Sequence, residues 1–145
     1  MSKEEHYRCL ESMYKAAPIN TFYEPNMVVC EGEATIEMEL SEKLHHSAGA
    51  VHGSIYFKML DDAAFFAANS LESKYFVLTT SFTTYLTRPV SSGKLRSVGR
   101  VVNQNRMQFI AESIVYDSKG NEIGRGNGIF VRSKMLLEEA SGYVE

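Results

Sequence analysis

Apolar and polar residues alternate along the chain with two different periods, and each period predicts a type of secondary structure. In residues 3–16 the apolar side chains recur every three or four positions, which is typical of an amphipathic helix, and Pro18 ends it. Residues 20–26 contain a proline and are expected to form a loop. From residue 27 to residue 40 the period becomes two, with a break at Gly32, and this pattern predicts a pair of half-exposed strands.

Residues 55–70 follow neither pattern, because they are apolar nearly all round. Up to Ala68 their charged residues are Lys58, Asp61 and Asp62. A helix with so little polar surface is buried on most of its sides. The chain therefore predicts one central buried helix, which follows a glycine-containing loop over residues 41–50.

Four more strands are predicted after this helix, at residues 75–88, 95–103, 107–116 and 123–131, with a hairpin turn at 117–121. In the first of them a strict period of two places Thr80 with Phe82 on one face and Thr79 with Val77 on the other. Residues 134–145 are expected to form a frayed helical tail.

Three glycines alternate in the last strand, at positions 124, 126 and 128, and they share one face. Glycine normally weakens a strand because it has no side chain to pack. The alternation therefore predicts that some group packs very close to this face, with a glycine-tolerant sheet edge as the alternative.

The order of these elements predicts the α+β fold class, in which one long helix is wrapped by one curved antiparallel sheet. A length of 145 residues suits a single domain. We expect this domain to consist of the short helix at 3–16, a core over about 27–132 and the tail at 134–145. No repeat or low-complexity linker divides the sequence.

The composition adds the chemical environment. With 44% hydrophobic and 23% charged residues it is that of an ordinary globular protein, and a net charge of −3 excludes a basic surface for nucleic acid. Cys9 and Cys30 fit no metal or redox spacing and agree with a reducing compartment. No signal peptide is recognisable, and no stretch approaches the ~18 apolar residues of a membrane span. We expect a cytoplasmic protein without nucleic-acid or membrane partners and without a cofactor.

The two carboxylates of the central helix are the first candidates for chemistry. An ionised group is costly in an apolar interior unless it is paired, so Asp61 is a candidate general base or nucleophile whose basicity burial adjusts. Lys58 lies three residues before Asp61 and four before Asp62, and can pair with either on an exposed edge of the helix. The pattern alone leaves open which carboxylate is free.

Gly53, at the predicted start of the helix, is the second candidate. Backbone N–H groups at a helix N-terminus are unsatisfied and partly positive, so the Gly53 N–H could polarise a carbonyl as an oxyanion hole does. The alternative is that Gly49 and Gly53 only shape a turn. Gly53 and Asp61 are eight residues apart, about 12 Å along a helix, so one small reacting centre cannot contact both in one chain. If both act on one carbonyl, they come from two subunits of a dimer.

Three histidines precede the helix, but no cysteine or carboxylate completes a metal-ligand pattern with His45, His46 and His52, and no metal site is expected. His52 is expected to be a buried, hydrogen-bonded anchor of the loop. Four helix residues suggest a pocket for an acyl or aryl group, with plain core as the alternative: Tyr56, Met59, Phe65 and Phe66.

Several short motifs, in this order and spacing, resemble the hotdog-fold acyl-CoA thioesterases of the phenylacetyl-CoA and 4-hydroxybenzoyl-CoA group. The similarity covers about residues 27–132. It rests on Gly49-x-x-His52-Gly53-Ser54, on Asp61 nine residues after His52, on Ala63-x-x-x-Ala67, on Leu86-Thr87-Arg88-Pro89-Val90 and on the glycine-rich last strand.

The resemblance implies hydrolysis of an acyl-CoA thioester to a free acid and coenzyme A, in homodimers that pair their sheets edge to edge and often form homotetramers. It implies that Asp61 is the general base or nucleophile and that the Gly53 N–H of the other subunit polarises the carbonyl. His46 stands where the family usually has an Asn or Gln that orients water or the carbonyl. Ser54 replaces the second glycine of the usual His-Gly-Gly beside His52.

The resemblance also implies a hydroxyl near the nucleophilic water, from Thr79 or Thr80. Arg88, with Lys94 or Arg96, is a candidate contact for the phosphates of coenzyme A, and an ordinary solvated charge explains it equally well. Two other functions stay open: an acyl-CoA-binding hotdog protein without hydrolysis, and a hotdog dehydratase or hydratase. The second needs a histidine with an acid, and the His-Phe-Pro loop of such enzymes is absent.

Overall fold

The computed structural model describes residues 1–145. Its helices are α1 (Lys3–Ala16), α2 (Asn20–Tyr23) and α3 (Gly53–Ser70), and single 3-10 turns lie at Glu42–Leu44 and Leu137–Glu139. Its strands are β1 (Asn26–Cys30), β2 (Glu33–Glu39), β3 (Tyr75–Leu86), β4 (Lys94–Gln104), β5 (Phe109–Tyr116) and β6 (Glu122–Leu136).

The six strands form one antiparallel sheet in the order β1-β2-β4-β5-β6-β3, and α3 packs on its inner face. The predicted α+β architecture is therefore confirmed. Serines of the two central strands bond to the helix backbone: Ser97 Oγ donates to the Met59 carbonyl at 2.8 Å and Ser113 Oγ to the Leu60 carbonyl at 2.7 Å. On β4, Gly99 lies so close to α3 that a Cβ there would collide with the backbone of Ala63. The sheet thus holds α3 at short distance.

The glycines of β6 have the close neighbour that their alternation predicts. A Cβ on Gly126 or on Gly128 would come within 2.5 Å of the ring of Phe82, which belongs to the paired strand β3. Phe82 in turn contacts Phe57 of α3 edge to face, at 5.7 Å between ring centroids. The glycines therefore let β3 place an aromatic side chain between the sheet and the helix.

A stability prediction follows from this contact. Gly126→Ala is expected to lower the free energy of unfolding by about 2–4 kcal/mol, because the new methyl group also meets the backbone oxygen of Thr83 at 2.5 Å, which cannot move aside cheaply. Urea unfolding measures the change. Asn127→Ala, one residue along on the exposed face of the same strand, is the matched control and should lie within about 0.5 kcal/mol of the unaltered chain. Equal stability of both variants would show that the close packing of the Phe82 ring on β6 does not depend on glycine at position 126.

Two predicted segments differ from the structure near the ends of the chain. Residues 20–26 are not all loop, because Asn20–Tyr23 forms the short helix α2, which Glu24 ends at a φ of 51°. Residues 134–145 are not a helical tail, because β6 continues to Leu136 and Leu137 is buried, donating its N–H to the Lys74 carbonyl at 2.9 Å. In both places contact with the rest of the fold overrides a weak local pattern.

The faces of β3 also differ from a strict period of two. Thr79 pairs with Phe130 and Ser81 with Ile129, so Thr80 is an extra residue at a bulge. A bulge shifts the alternation by one residue. The side chains that face α3 are consequently those of Val77 and Thr79 before the bulge and of Phe82 after it. A strict period of two would instead place Phe82 on the opposite face.

No helix of the fold is both long enough and apolar enough to cross a bilayer.

Candidate active site

Asp61 lies in the middle of α3 with its carboxyl group turned towards β3. Thr79 Oγ1 donates a hydrogen bond to Asp61 Oδ1 at 2.9 Å. Burial raises the pKa of Asp61 from 3.8 to about 6, an effect that the Thr79 hydrogen bond partly offsets. A carboxylate of this kind is ionised near neutral pH and is more basic than an ordinary aspartate, as a general base or nucleophile requires.

The neighbouring Asp62 has a different role because it forms an ion pair with Lys58, the one basic residue of α3. Lys58 Nζ contacts Asp62 Oδ2 at 2.8 Å, and the Tyr14 hydroxyl donates to the same oxygen at 2.8 Å. The structure thus decides which carboxylate is paired: Asp62 has both partners, and Asp61 has only the neutral Thr79.

Asp61 and Thr79 line a cavity of about 580 Å³ beside α3. Its walls are mostly apolar and largely aromatic, and include Tyr23, Phe57, Phe65, Phe66, Phe76 and Leu78. Of the helix residues predicted to form a pocket, Phe65 and Phe66 do line it. Met59 is fully buried in the core, and Tyr56 lines a different cavity.

The start of α3 is capped by His52. The Nδ1 atom of His52 accepts the backbone N–H of Ser54 at 3.1 Å and lies 2.8 Å from Ser54 Oγ. His52 is exposed, so its predicted burial is wrong: a helix cap needs only a side chain that folds back on the first turn. The N–H of Gly53, the first helical residue, donates no hydrogen bond within the chain. It is a free donor at the positive end of the helix.

A second cavity, of about 360 Å³, lies at this helix start and is lined by His46, Gly53, Tyr56, Leu86 and Arg88 among others. His46 Nδ1 accepts the N–H of Ala48 at 3.0 Å, which leaves its Nε2 as the free ring nitrogen. Tyr56 donates its hydroxyl proton to the Arg88 carbonyl at 2.7 Å. The Arg88 guanidinium is exposed and forms no ion pair.

Other residues considered from the sequence are placed elsewhere. Thr80 is exposed and donates to the Ile129 carbonyl at 3.1 Å, so it does not reach Asp61. Lys94 faces Glu37 and Glu39 at 3.7 and 3.9 Å, and Arg96 lies over the ring of Tyr116. Nowhere do three His, Cys, Asp or Glu side chains converge as a metal site requires.

The sequence model of the thioesterase superfamily matches residues 48–123, which is more than half of the chain. The chain belongs to the thioesterase superfamily. The matched segment contains Gly53, Asp61, Thr79 and Arg88, whereas His46 and the helices α1 and α2 lie before it.

Solved structures and a curated relative agree with this assignment. The PaaI protein of the Escherichia coli phenylacetic acid degradation operon superposes with a TM-score of 0.84 over 92% of this chain and 97% of PaaI, at 17% identity. A Haemophilus influenzae thioesterase gives a TM-score of 0.74 over 83% and 85% of the two chains, at 14% identity. A proposed esterase of Saccharolobus solfataricus is 22% identical over 101 residues, which are 70% of this chain and 67% of that protein. At these identities the structural likeness shows the hotdog fold.

Within one chain of this thioesterase-superfamily protein, the candidate residues form two separate groups. Asp61, Thr79 and Ser54 line the larger cavity, and His46, Gly53 and Arg88 line the smaller one. The two sets of lining residues have no member in common, although Gly53 and Ser54 are neighbours at the start of α3. This separation agrees with the spacing along α3. Each chain therefore has two separate cavities lined by candidate residues.

Sequence reasoning missed the contribution of α1 and α2. Tyr14 has a helical spacing typical of core, and nothing in that pattern indicates its hydrogen bond to Asp62 across 48 residues. Ala17 and Tyr23, which also line the larger cavity, fall where the pattern gives only a loop and the end of a helix.

Proposed function

We propose that the protein is an acyl-CoA thioesterase, which hydrolyses a thioester to a free acid and coenzyme A at a site shared by the two subunits of a homodimer. The observation that carries this proposal is the setting of Asp61. It is a half-buried carboxylate with no cation of its own, a raised pKa, a hydroxyl partner in Thr79 and an apolar cavity beside it.

The chemistry assigns a role to each of the two cavities. As a general base, Asp61 takes a proton from a water molecule held by the Thr79 hydroxyl, and the water oxygen attacks the thioester carbonyl carbon. As a nucleophile, Asp61 attacks this carbon itself, and water hydrolyses the resulting anhydride. In both cases the Gly53 N–H of the other subunit stabilises the oxyanion. The C–S bond breaks when this oxyanion collapses, which gives the free acid directly in the first route and the anhydride in the second, and the coenzyme A thiolate takes up a proton.

The free edge of the sheet supports a dimer. β3 is an edge strand of twelve residues with no partner on its outer side, and Tyr85 and Leu86 near its end are 55% and 52% exposed. A long edge with large apolar side chains is a surface on which a second strand pairs. Pairing two copies along β3 covers this edge, and Leu86 next to Gly53 connects it to the smaller cavity. Arg88 and the Nε2 of His46, at the mouth of that cavity, are the proposed contacts for the phosphates and the carbonyl.

The proposal is tested by measuring free-thiol release from acetyl-, octanoyl-, palmitoyl- and phenylacetyl-CoA, together with the molar mass of the protein in solution by light scattering. Release of thiol by a dimer or tetramer supports it. Binding of acyl-CoA without thiol release would instead favour a non-catalytic acyl-CoA-binding protein. In that case the departures from the family pattern at His46 and Ser54 are the first positions to revert, to Asn and Gly.

The hydrogen bond from Thr79 gives a prediction about pH. The active form of Asp61 is the ionised one, so kcat/KM is expected to fall as the pH drops through about 6. In Thr79→Val the hydrogen bond that lowers the Asp61 pKa is lost, so the acidic limb should move up by roughly one pH unit. The measurement is a pH profile of kcat/KM from pH 4.5 to 9. Thr79→Ser keeps the hydroxyl, so the acidic limb of its profile should stay near the original pH. An acidic limb that is unchanged in both variants would show that Thr79 does not influence the pKa of the group that titrates.

A further inference from the structure

One wall of the cavity beside Asp61 comes from a part of the chain that the thioesterase superfamily model does not match. The match begins at residue 48. We use the name N-terminal wall for the six earlier residues that line the cavity, which are Met13, Tyr14, Ala17, Ile19, Asn20 and Tyr23. The segment that matches the superfamily model, residues 48–123, supplies the carboxylate and the rest of the cavity lining, and the segment with α1 and α2 closes one side.

The N-terminal wall is firmly attached to α3. Tyr14 is only 5% exposed, and its hydroxyl donates to Asp62, the residue next to Asp61. Its ring packs edge to face against Phe66 at 5.0 Å. Asn20 Nδ2 donates to the Tyr14 carbonyl at 2.7 Å, which ties α2 to the end of α1. The wall therefore has a defined position relative to the reacting carboxylate.

The charges in this cavity define what kind of group it accepts. The charged side chains that line it are Lys58, Asp61 and Asp62. The Lys58 ammonium is bonded to Asp62 and lies 5.4 and 5.1 Å from the ring centroids of Tyr14 and Tyr23. No cation is left for an anionic tail, and the ionised Asp61 repels one. An uncharged apolar group is what the cavity suits, and its volume of about 580 Å³ far exceeds that of an acetyl group.

We propose that the N-terminal wall is the element that selects the acyl group, by holding the far end of an uncharged apolar acyl chain longer than acetyl. This inference rests on the proposed function, since it takes the cavity beside Asp61 as the acyl subsite. Each methylene group that leaves water on binding strengthens binding about fourfold. Affinity should therefore rise with tail length until the cavity is full.

Ala17→Phe tests the proposal by filling the cavity. Ala17 is half-buried, just after α1, with φ −58° and ψ 129°, a conformation that phenylalanine adopts without strain. Ala16→Phe is the matched control, because Ala16 is exposed and does not line the cavity. The probes are non-hydrolysable thioethers of coenzyme A with ethyl, octyl, phenylethyl and 7-carboxyheptyl tails, and calorimetry measures their binding to the full chain.

The unaltered protein is expected to bind the octyl thioether at least about 50-fold tighter than the ethyl one, and the carboxyheptyl thioether no tighter than the ethyl one. Ala17→Phe should weaken octyl binding at least about tenfold more than ethyl binding, and Ala16→Phe should retain the original preference. The phenylethyl arm tells an aryl from an alkyl preference. Equal affinities for ethyl and octyl tails, or equal weakening of both by Ala17→Phe, would overturn the proposal.

A second pair of variants covers the case in which Ala17→Phe does not fold. Ile19 lines the cavity and Val28 of β1 does not; these residues are 58% and 65% exposed, so neither is needed for the core. Ile19→Ala should weaken octyl binding about threefold or more, and Val28→Ala should leave it unchanged. Thiol release from octanoyl-CoA is measured separately. Binding that depends on chain length, without thiol release, would contradict the proposed hydrolysis and leave the assignment of the wall intact. Thiol release without any dependence of binding on chain length would support the hydrolysis and overturn the assignment of the wall.

Discussion

Asp61→Asn is expected to lower kcat for thioester hydrolysis at least about 1000-fold while making the folded protein more stable at neutral pH. Asparagine has nearly the same shape and still accepts the hydrogen bond from Thr79, so the cavity keeps its form. It can neither take a proton from water nor attack a carbonyl carbon. The measurements are free-thiol release under substrate saturation and urea unfolding of the same preparation.

The sign of the stability change follows from the pKa of Asp61. Folding raises this pKa from 3.8 to about 6, so the folded state binds the proton more tightly than the unfolded state does. Ionisation of Asp61 therefore costs stability, starting above about pH 4 and reaching its full amount above about pH 6, where it is up to roughly 3 kcal/mol. Asn removes this cost. The variant should be the more stable protein at pH 7.5, and the difference should shrink towards zero at pH 4.

Glu112→Gln is the matched control for both measurements. Glu112 is an exposed carboxylate on the outer face of β5, opposite Arg100 of β4, and it lines neither cavity. Its neutralisation should change turnover by less than about twofold and stability by less than about 0.5 kcal/mol. Loss of activity together with a loss of stability in Asp61→Asn would mean that Asp61 is part of the framework, and would contradict its role as the reacting carboxylate.

The parts of this molecule that the sequence predicts well are those that local pattern determines. α3 is visible because 18 residues carry almost no charge, and a carboxylate inside such a stretch stands out. The alternation of three glycines in β6 indicates close neighbours, although only the fold identifies them: the Phe82 ring at Gly126 and Gly128, and the Tyr85 carbonyl at Gly124. The Gly53 N–H needs nothing beyond its position at the start of a helix. For these residues the local pattern predicts both the secondary structure and the position of each group within it.

The parts that the sequence could not predict depend on contacts between distant segments. The bulge at Thr80 is set by the pairing of β3 with β6, and without it the choice between Thr79 and Thr80 stays open. The pairing of Lys58 with Asp62 is settled by the Tyr14 hydroxyl, which arrives from α1. Leu137 is buried because it docks beside Lys74, more than sixty residues away. No local period records such contacts, because they arise only when the sheet closes around α3.

Two inactive variants are expected to restore activity when they are combined in one dimer. Gly53→Pro removes the N–H proposed to stabilise the oxyanion, and proline is well tolerated at the first position of a helix. The preceding residue, His52, already has the extended conformation that proline requires, with φ −61° and ψ 142°. A mixed dimer of an Asp61→Asn subunit and a Gly53→Pro subunit has one site with both changes and one site with neither. It should show about half the activity of the unaltered dimer, at least about 100-fold above either parent homodimer.

The mirror arrangement is the control that makes this result decisive. When both changes are in one chain, and this chain is paired with an unaltered subunit, each shared site contains one defect, and the mixed dimer should be nearly inactive. Differently tagged subunits, co-expressed and purified over two affinity steps, give each mixed dimer free of homodimers. If instead each site lay within one chain, the outcomes would exchange: the first mixed dimer would be inactive and the second would keep half the activity. Since Gly53 and Asp61 are about 12 Å apart along one rigid helix, we expect the first pattern.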